Sequence, residues 1–244
     1  MTEPSVPTLR TLARETWHEV TNLDSKGWRT LKGLALPGRL ASAWVRGKRD
    51  EGYPPIRVYL VASAIYFLFG THPSLAALVE ESVRGFVLDE AVSGLNPNSL
   101  RSAIEQQVAS WVALLRFLTL IPVGLAMAAV APRGEPRLAP GLVLAMHYFT
   151  VSFLLSAVMS AGWWVTGLGL ASDVEASLVP HLLTVERGLV TIWLVMAMRH
   201  LHGVWWGGAI WRGVVITALD LFLLRFFFGF AVGGVQAYLT YGVG

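Results

Sequence analysis

Six ionisable side chains stand inside long apolar stretches of this chain: Arg116, His147, Glu186, Arg187, Asp220 and Arg225. If those stretches cross a bilayer, each unpaired charge costs at least about 2.5 kcal/mol, so each must pair, line a wet cavity or meet a ligand. Helical rise puts Arg116 and Glu186 at one depth, roughly 6 to 12 Å from the outer boundary, and His147 and Asp220 at another, about 9 to 14 Å from the inner one. Arg116 is therefore expected to pair with Glu186. His147 and Asp220 are the residue types of a general base and its orienter, should they meet. Three uses stay open for these groups: buried hydrogen bonds or ion pairs that fix helix packing, a proton or anion pathway, and contact with a bound lipid or pigment.

Other chemistry is poorly provided for. The chain has no cysteine, which excludes disulfides, thiolate nucleophiles, iron–sulfur clusters and Cys-ligated zinc. His200 and His202 are two apart, so on a helix they diverge by about 200° and make a poor metal site. The sequence holds no His-Glu-x-x-His, no Gly-x-Ser-x-Gly, no phosphate-cradling glycine loop and no paired carboxylates on one helical face. No metal or cofactor is expected, apart from the lipid or pigment already mentioned.

The elements that must position these residues are helices in a membrane. Only 14% of the 244 residues are charged, against roughly 25% in an ordinary soluble domain, and the mean hydropathy is +0.55. The expected fold class is all-α, a polytopic helical bundle. A spanning helix needs about 20 apolar residues, and five stretches qualify: 54–70, 108–130, 138–164, 182–201 and 214–235. The first is short and spans only if Tyr53 and Arg57 snorkel to the inner headgroups, the alternative being a re-entrant hairpin. Residues 1–53 form a basic cytosolic or interfacial segment and residues 54–244 the transmembrane domain. The opening residues, MTEPSVPTLR, have no apolar core, so no cleavable secretory signal is expected there.

Ten of the nineteen lysines and arginines precede Val58. In a membrane chain that bias points to anionic headgroups and away from nucleic acid. Two amphipathic helices are expected between residues 8 and 35, the second carrying Trp28, Leu31 and Leu34 beside Lys26, Arg29 and Lys32. Such helices suit the headgroup region or a cytosolic cap packed on the bundle. Arg39, Lys48 and Arg49, with Trp28 and Trp44, are the candidate lipid or partner contacts.

The order Pro37-Gly38-Arg39, then Gly47-Lys48-Arg49, then Tyr53, a proline and an apolar helix resembles a bacterial membrane family described as a domain of unknown function, number 3667. The resemblance covers about residues 23–69. Many relatives carry a Cys-rich, zinc-ribbon-like segment before this region, and its metal site does not carry over to a chain without cysteine. The resemblance implies a membrane location and no particular chemistry.

Loop charges give the orientation. The segment 71–107 holds Arg84 and Arg101 against five carboxylates, and Asp173 and Glu175 follow the third stretch, whereas Arg133, Arg137, Arg199 and Arg212 flank the other turns. The positive-inside bias puts the N-terminus in the cytoplasm and the C-terminus outside a bacterial inner membrane. An interfacial helix is expected near residues 74–88 on the outer side. Gly203-xxx-Gly207 and Gly229-xxx-Gly233 have the small-residue spacing that lets helices or a partner subunit approach closely, as does Ser156-xxx-Ser160.

These features fit a non-enzymatic membrane scaffold or an accessory subunit of a larger complex, for example photosynthetic or respiratory. A small transporter or channel using the buried charges is the alternative, and an intramembrane lipid-handling enzyme a third reading.

Overall fold

The computed structural model describes residues 25–68, 115–132, 138–166 and 172–241, which hold seven helices and no strand. In chain order, α1 covers 25–35, α2 Arg39–Val45, α3 Pro55–Leu68, α4 Leu115–Val130, α5 Leu138–Thr166, α6 Ser172–His202 and α7 Trp206–Tyr241. The first expected amphipathic helix and the outer interfacial helix near 74–88 lie outside the described residues.

Two helices are long and apolar enough to cross a bilayer by length and composition, over Leu138–Gly162 and Trp206–Phe230. Helices α3 and α4 are apolar but shorter, with 14 residues described in α3, or about 21 Å of rise. Helix α6 has length to spare at 31 residues but carries charge along it. Of the apolar window in α5, 56% is buried, against 28% in α7, so α5 is the central helix and α7 an edge one.

Aromatic packing explains the centre. Tyr59 and Tyr66 of α3 meet Phe153 of α5 at ring distances of 5.7 and 5.1 Å, and Tyr59 meets Phe149 edge-on at 6.5 Å. Helix α5 also takes α2 and α6 against it. It crosses α4 backbone to backbone: a Cβ on Gly141 would lie 2.7 Å from the Gly124 carbonyl oxygen and 2.8 Å from the Ala128 nitrogen. Only glycine permits that approach.

Both long C-terminal helices start earlier than hydropathy alone predicts. Helix α6 begins at Ser172, taking in Asp173 and Glu175, and α7 begins at Trp206 rather than near Val214. Gly207 and Gly208 lie under the Trp205 indole, whose ring is 2.2 Å from where a Gly207 Cβ would stand. The turn into α7 sits at Gly203, with φ 61°.

The short α2 is entered through Gly38, whose φ of 76° is left-handed and whose missing Cβ leaves room for Ala197 of α6. The Trp193 indole of α6 donates to the Leu34 carbonyl at 2.8 Å. Thr30 accepts from the Tyr53 backbone N–H at 3.0 Å, closing α1 onto the entry to α3. The α1 stripe is divided by this docking. Leu34 is buried, whereas Trp28 and Leu31 stay outside.

Polarity is distributed inside out. Arg116, Thr119, His147, Thr150, Ser156, Glu186, Thr217 and Asp220 are buried, while the exposed residues include Leu118, Ile121, Ile192, Val214, Phe222 and Phe230. A soluble monomer rarely exposes apolar surface so continuously.

Candidate functional site

One carboxylate gathers four helices. Asp220 of α7 is fully buried. Its Oδ1 lies 3.5 Å from Nη1 of Arg116 on α4, and its Oδ2 lies 3.5 Å from Nη1 of Arg187 on α6. The Tyr148 hydroxyl of α5 donates to Oδ2 at 2.9 Å. Next to Arg187 in sequence, Glu186 is 2% exposed and accepts a hydrogen bond from Ser156 of α5. Two guanidiniums and two carboxylates thus share the interior, a charge balance that lets a low-dielectric core hold ions at all.

The ion pairs are close without being hydrogen bonds. At 3.5 Å they exceed the 2.7–2.9 Å usual for a charge-assisted bond, and Arg116 Nη1, Arg187 Nη1 and Asp220 Oδ1 are buried with no hydrogen-bond partner. Attraction between the charges remains, while directional capacity is left over. Such a group can orient a water or a small ion as well as clamp helices.

The expected pairing of Arg116 with Glu186 is corrected: the carboxylate beside Arg116 is Asp220. The reason lies in the start of α7. With Trp206 as its first residue, Asp220 lies about 21 Å along the helix, and Arg116 lies about 21 Å before the Val130 end of α4. The two therefore share a depth, which a helix starting near Val214 would not have allowed.

His147 does not meet Asp220. Its Nδ1 lies 2.8 Å from the Val143 carbonyl and donates to it, while Nε2 is buried without a partner. The next residue, Tyr148, reaches Asp220 instead, because successive side chains on a helix diverge by about 100°. Arg225 is exposed, which corrects the expectation of burial. Five residues beyond Asp220, it points about 140° away around α7. Tyr148 and Ser156 are the site residues that sequence reasoning missed. Ser156 was legible only as a small packing residue, and the Tyr148 hydroxyl carried no signal apart from its apolar surroundings.

At the end of the bundle where α4 and α6 finish and α5 and α7 begin, Arg212 donates to the Val130 carbonyl at 2.7 Å. Arg39, Lys48, Arg49 and Trp28 are exposed, and Trp44 is half-buried with the Arg49 guanidinium 6.0 Å from its ring centre. Tyr53 carries Arg57 over its ring at 4.6 Å. Among the described residues, Gly229, Gly233 and Gly203 have nothing within 4 Å of a built Cβ, and Gly207 meets the neighbouring Trp205 indole. Close approaches between described elements include those of Gly38 to Ala197, Gly124 to Leu142, Gly141 to Gly124 and Ala128, and Gly213 to Val195.

Among the described residues no group of three His, Asp or Glu side chains is placed to hold a metal ion. No curated protein and no solved structure matches the chain. Residues 24–67, which form α1, α2 and most of α3, match the family described as a protein of unknown function, DUF3667.

Proposed function

We propose that this chain is a non-enzymatic integral protein of the bacterial cytoplasmic membrane, with five spans, its N-terminus in the cytoplasm and its C-terminus outside, acting as a scaffold or accessory subunit of a larger membrane assembly. The observation behind this reading is the use of the buried charges. Asp220 holds Arg116, Arg187 and Tyr148 from three other helices, an arrangement that cross-links a bundle whose outer faces are apolar. Ion pairs and hydrogen bonds of this kind fix helix positions in lipid, where apolar burial contributes little to helix association. The orientation is supported by the gathering of Arg39, Arg46, Lys48 and Arg199 around one cavity where α6 ends and α7 begins.

Purification in mild detergent tests the role. A scaffold or accessory subunit brings a defined larger complex through size exclusion, whereas a monodisperse particle of this chain alone rejects it.

A second reading, a small transporter or channel, draws on the buried Nη1 atoms of Arg116 and Arg187 and on Asp220 Oδ1 and His147 Nε2, all without hydrogen-bond partners. Ion or proton flux into proteoliposomes that Asp220→Asn abolishes would favour it. The His147–Asp220 pair that could serve a lipid-handling enzyme as base and orienter is not assembled.

A further inference from the structure

An open cavity of about 1040 Å³ lies between the α2 segment, the C-terminal end of α6 and the start of α7. Its charge is one-sided. Arg39, Arg46, Lys48 and Arg199 line it with a single carboxylate, Glu51, which lies 3.5 Å from Lys48. Among the described residues Arg39, Arg46 and Arg199 have no carboxylate within ion-pair distance. Arg199 is held in place from the other side, its guanidinium 4.2 Å from the ring centre of Trp206. Three guanidiniums, brought from α2, its C-cap and α6 to one concavity, are more than solubility requires.

The walls are amphipathic. The rest of the lining includes Leu36, Met196 and the two indoles Trp205 and Trp206, which are 78% and 49% exposed. Indoles at the mouth of a basic cavity suit a ligand with a charged head and an apolar continuation. Guanidinium forks match the planar oxygen pairs of a phosphate, and several around one cavity match the two negative charges of a phosphate monoester better than the single charge of a diester or carboxylate.

We propose that this cavity binds a phosphate monoester group, engaged by Arg39, Arg46, Lys48 and Arg199. Three of the four basic residues, Arg39, Arg46 and Lys48, belong to the segment matched by the family of unknown function, so the site gives that segment a ligand chemistry. The group can come from a membrane lipid such as phosphatidic acid or from a soluble phosphate ester. Only the lipid source rests on the membrane reading above, and neither source depends on the scaffold role, so failure of co-purification and failure of this site are separate results.

The test uses the full chain in detergent, titrated by native mass spectrometry with phosphatidic acid, phosphatidylglycerol and phosphatidylcholine, and separately with glycerol 3-phosphate. Phosphatidic acid is expected to bind in preference to the other two lipids, and Arg39→Gln with Arg199→Gln to weaken it about tenfold or more. The equally basic surface pair Arg29→Gln with Lys32→Gln, on α1 outside the cavity, is the control and should leave binding within about twofold. Should the first double variant fail to fold, Arg46→Gln replaces it, since Arg46 is exposed and has no ion-pair partner among the described residues. Equal loss in the cavity and control variants means diffuse surface attraction and overturns the site. Equal binding of phosphatidylglycerol overturns the monoester. Binding of glycerol 3-phosphate that the cavity variants also abolish supports the site and assigns a soluble source. No binding of either phosphate source overturns the proposal outright.

Discussion

The Trp193 indole donates a hydrogen bond to the Leu34 carbonyl at 2.8 Å, joining α6 to the amphipathic α1 across 159 residues of sequence. Both residues are buried, Leu34 at 4% and Trp193 at 9% exposure. The bond makes the docking of α1 on the bundle a matter of a specific protein contact.

Trp193→Phe removes the donor and leaves the buried carbonyl unpaired, a loss of about 1–3 kcal/mol. Limited proteolysis in detergent is expected to cut residues 25–50 faster while the rest of the bundle stays protected. Unchanged protection would show that Leu34 is held by packing alone.

Asp220 is the hub of the buried charges, so its removal should cost more than removal of either arginine. Asp220→Leu strands two guanidiniums, and Arg116→Leu leaves Asp220 with Arg187 and Tyr148 still beside it. Breaking a buried pair costs about 3–5 kcal/mol, read here as a fall in melting temperature in detergent. A double-mutant cycle should give strong coupling between Arg116 and Asp220 and near-additivity between Arg116 and Glu186. The reverse pattern would refute the arrangement.

Gly38 and Gly47 separate two glycine effects. Both have positive φ, 76° and 80°, but a Cβ on Gly38 would lie 2.7 Å from the Ala197 carbonyl oxygen, and one on Gly47 meets nothing within 4 Å. Gly47→Ala should cost about 1 kcal/mol from backbone strain, and Gly38→Ala clearly more because α2 must also lift from α6. Thermal melts of the two variants compare them directly, and equal shifts would mean that α2 does not press on Ala197.

Reporter fusions after Pro97, Arg133, Asp173, His202 and Gly244 should alternate out, in, out, in, out across the membrane. A cytoplasmic signal at Gly244 with an outside signal at Arg133 would mean that the apolar run beginning with α3 does not cross.

Composition and local pattern determine that the chain is helical, where its apolar stretches fall and that its basic residues gather at one end, because those properties depend on residue type and on a period of a few residues. The sequence also singles out Arg116, Glu186, His147 and Asp220, since a polar side chain in an apolar stretch is visible without a fold. Which of them meet is a different kind of fact. Partnership requires equal depth and matching rotation, and depth depends on where each helix starts. For α7 the turns before Val214 are held by contacts with other helices, Arg212 donating to the Val130 carbonyl and Gly213 lying close against Val195, and with those turns in place Asp220 stands deeper, beside Arg116. Rotation then gave Asp220 to Tyr148 rather than to His147, and turned Arg225 outward. The basic cavity is tertiary in the same sense, because Arg39 and Arg199 are far apart in sequence and share it only once Gly38 has brought α2 onto α6.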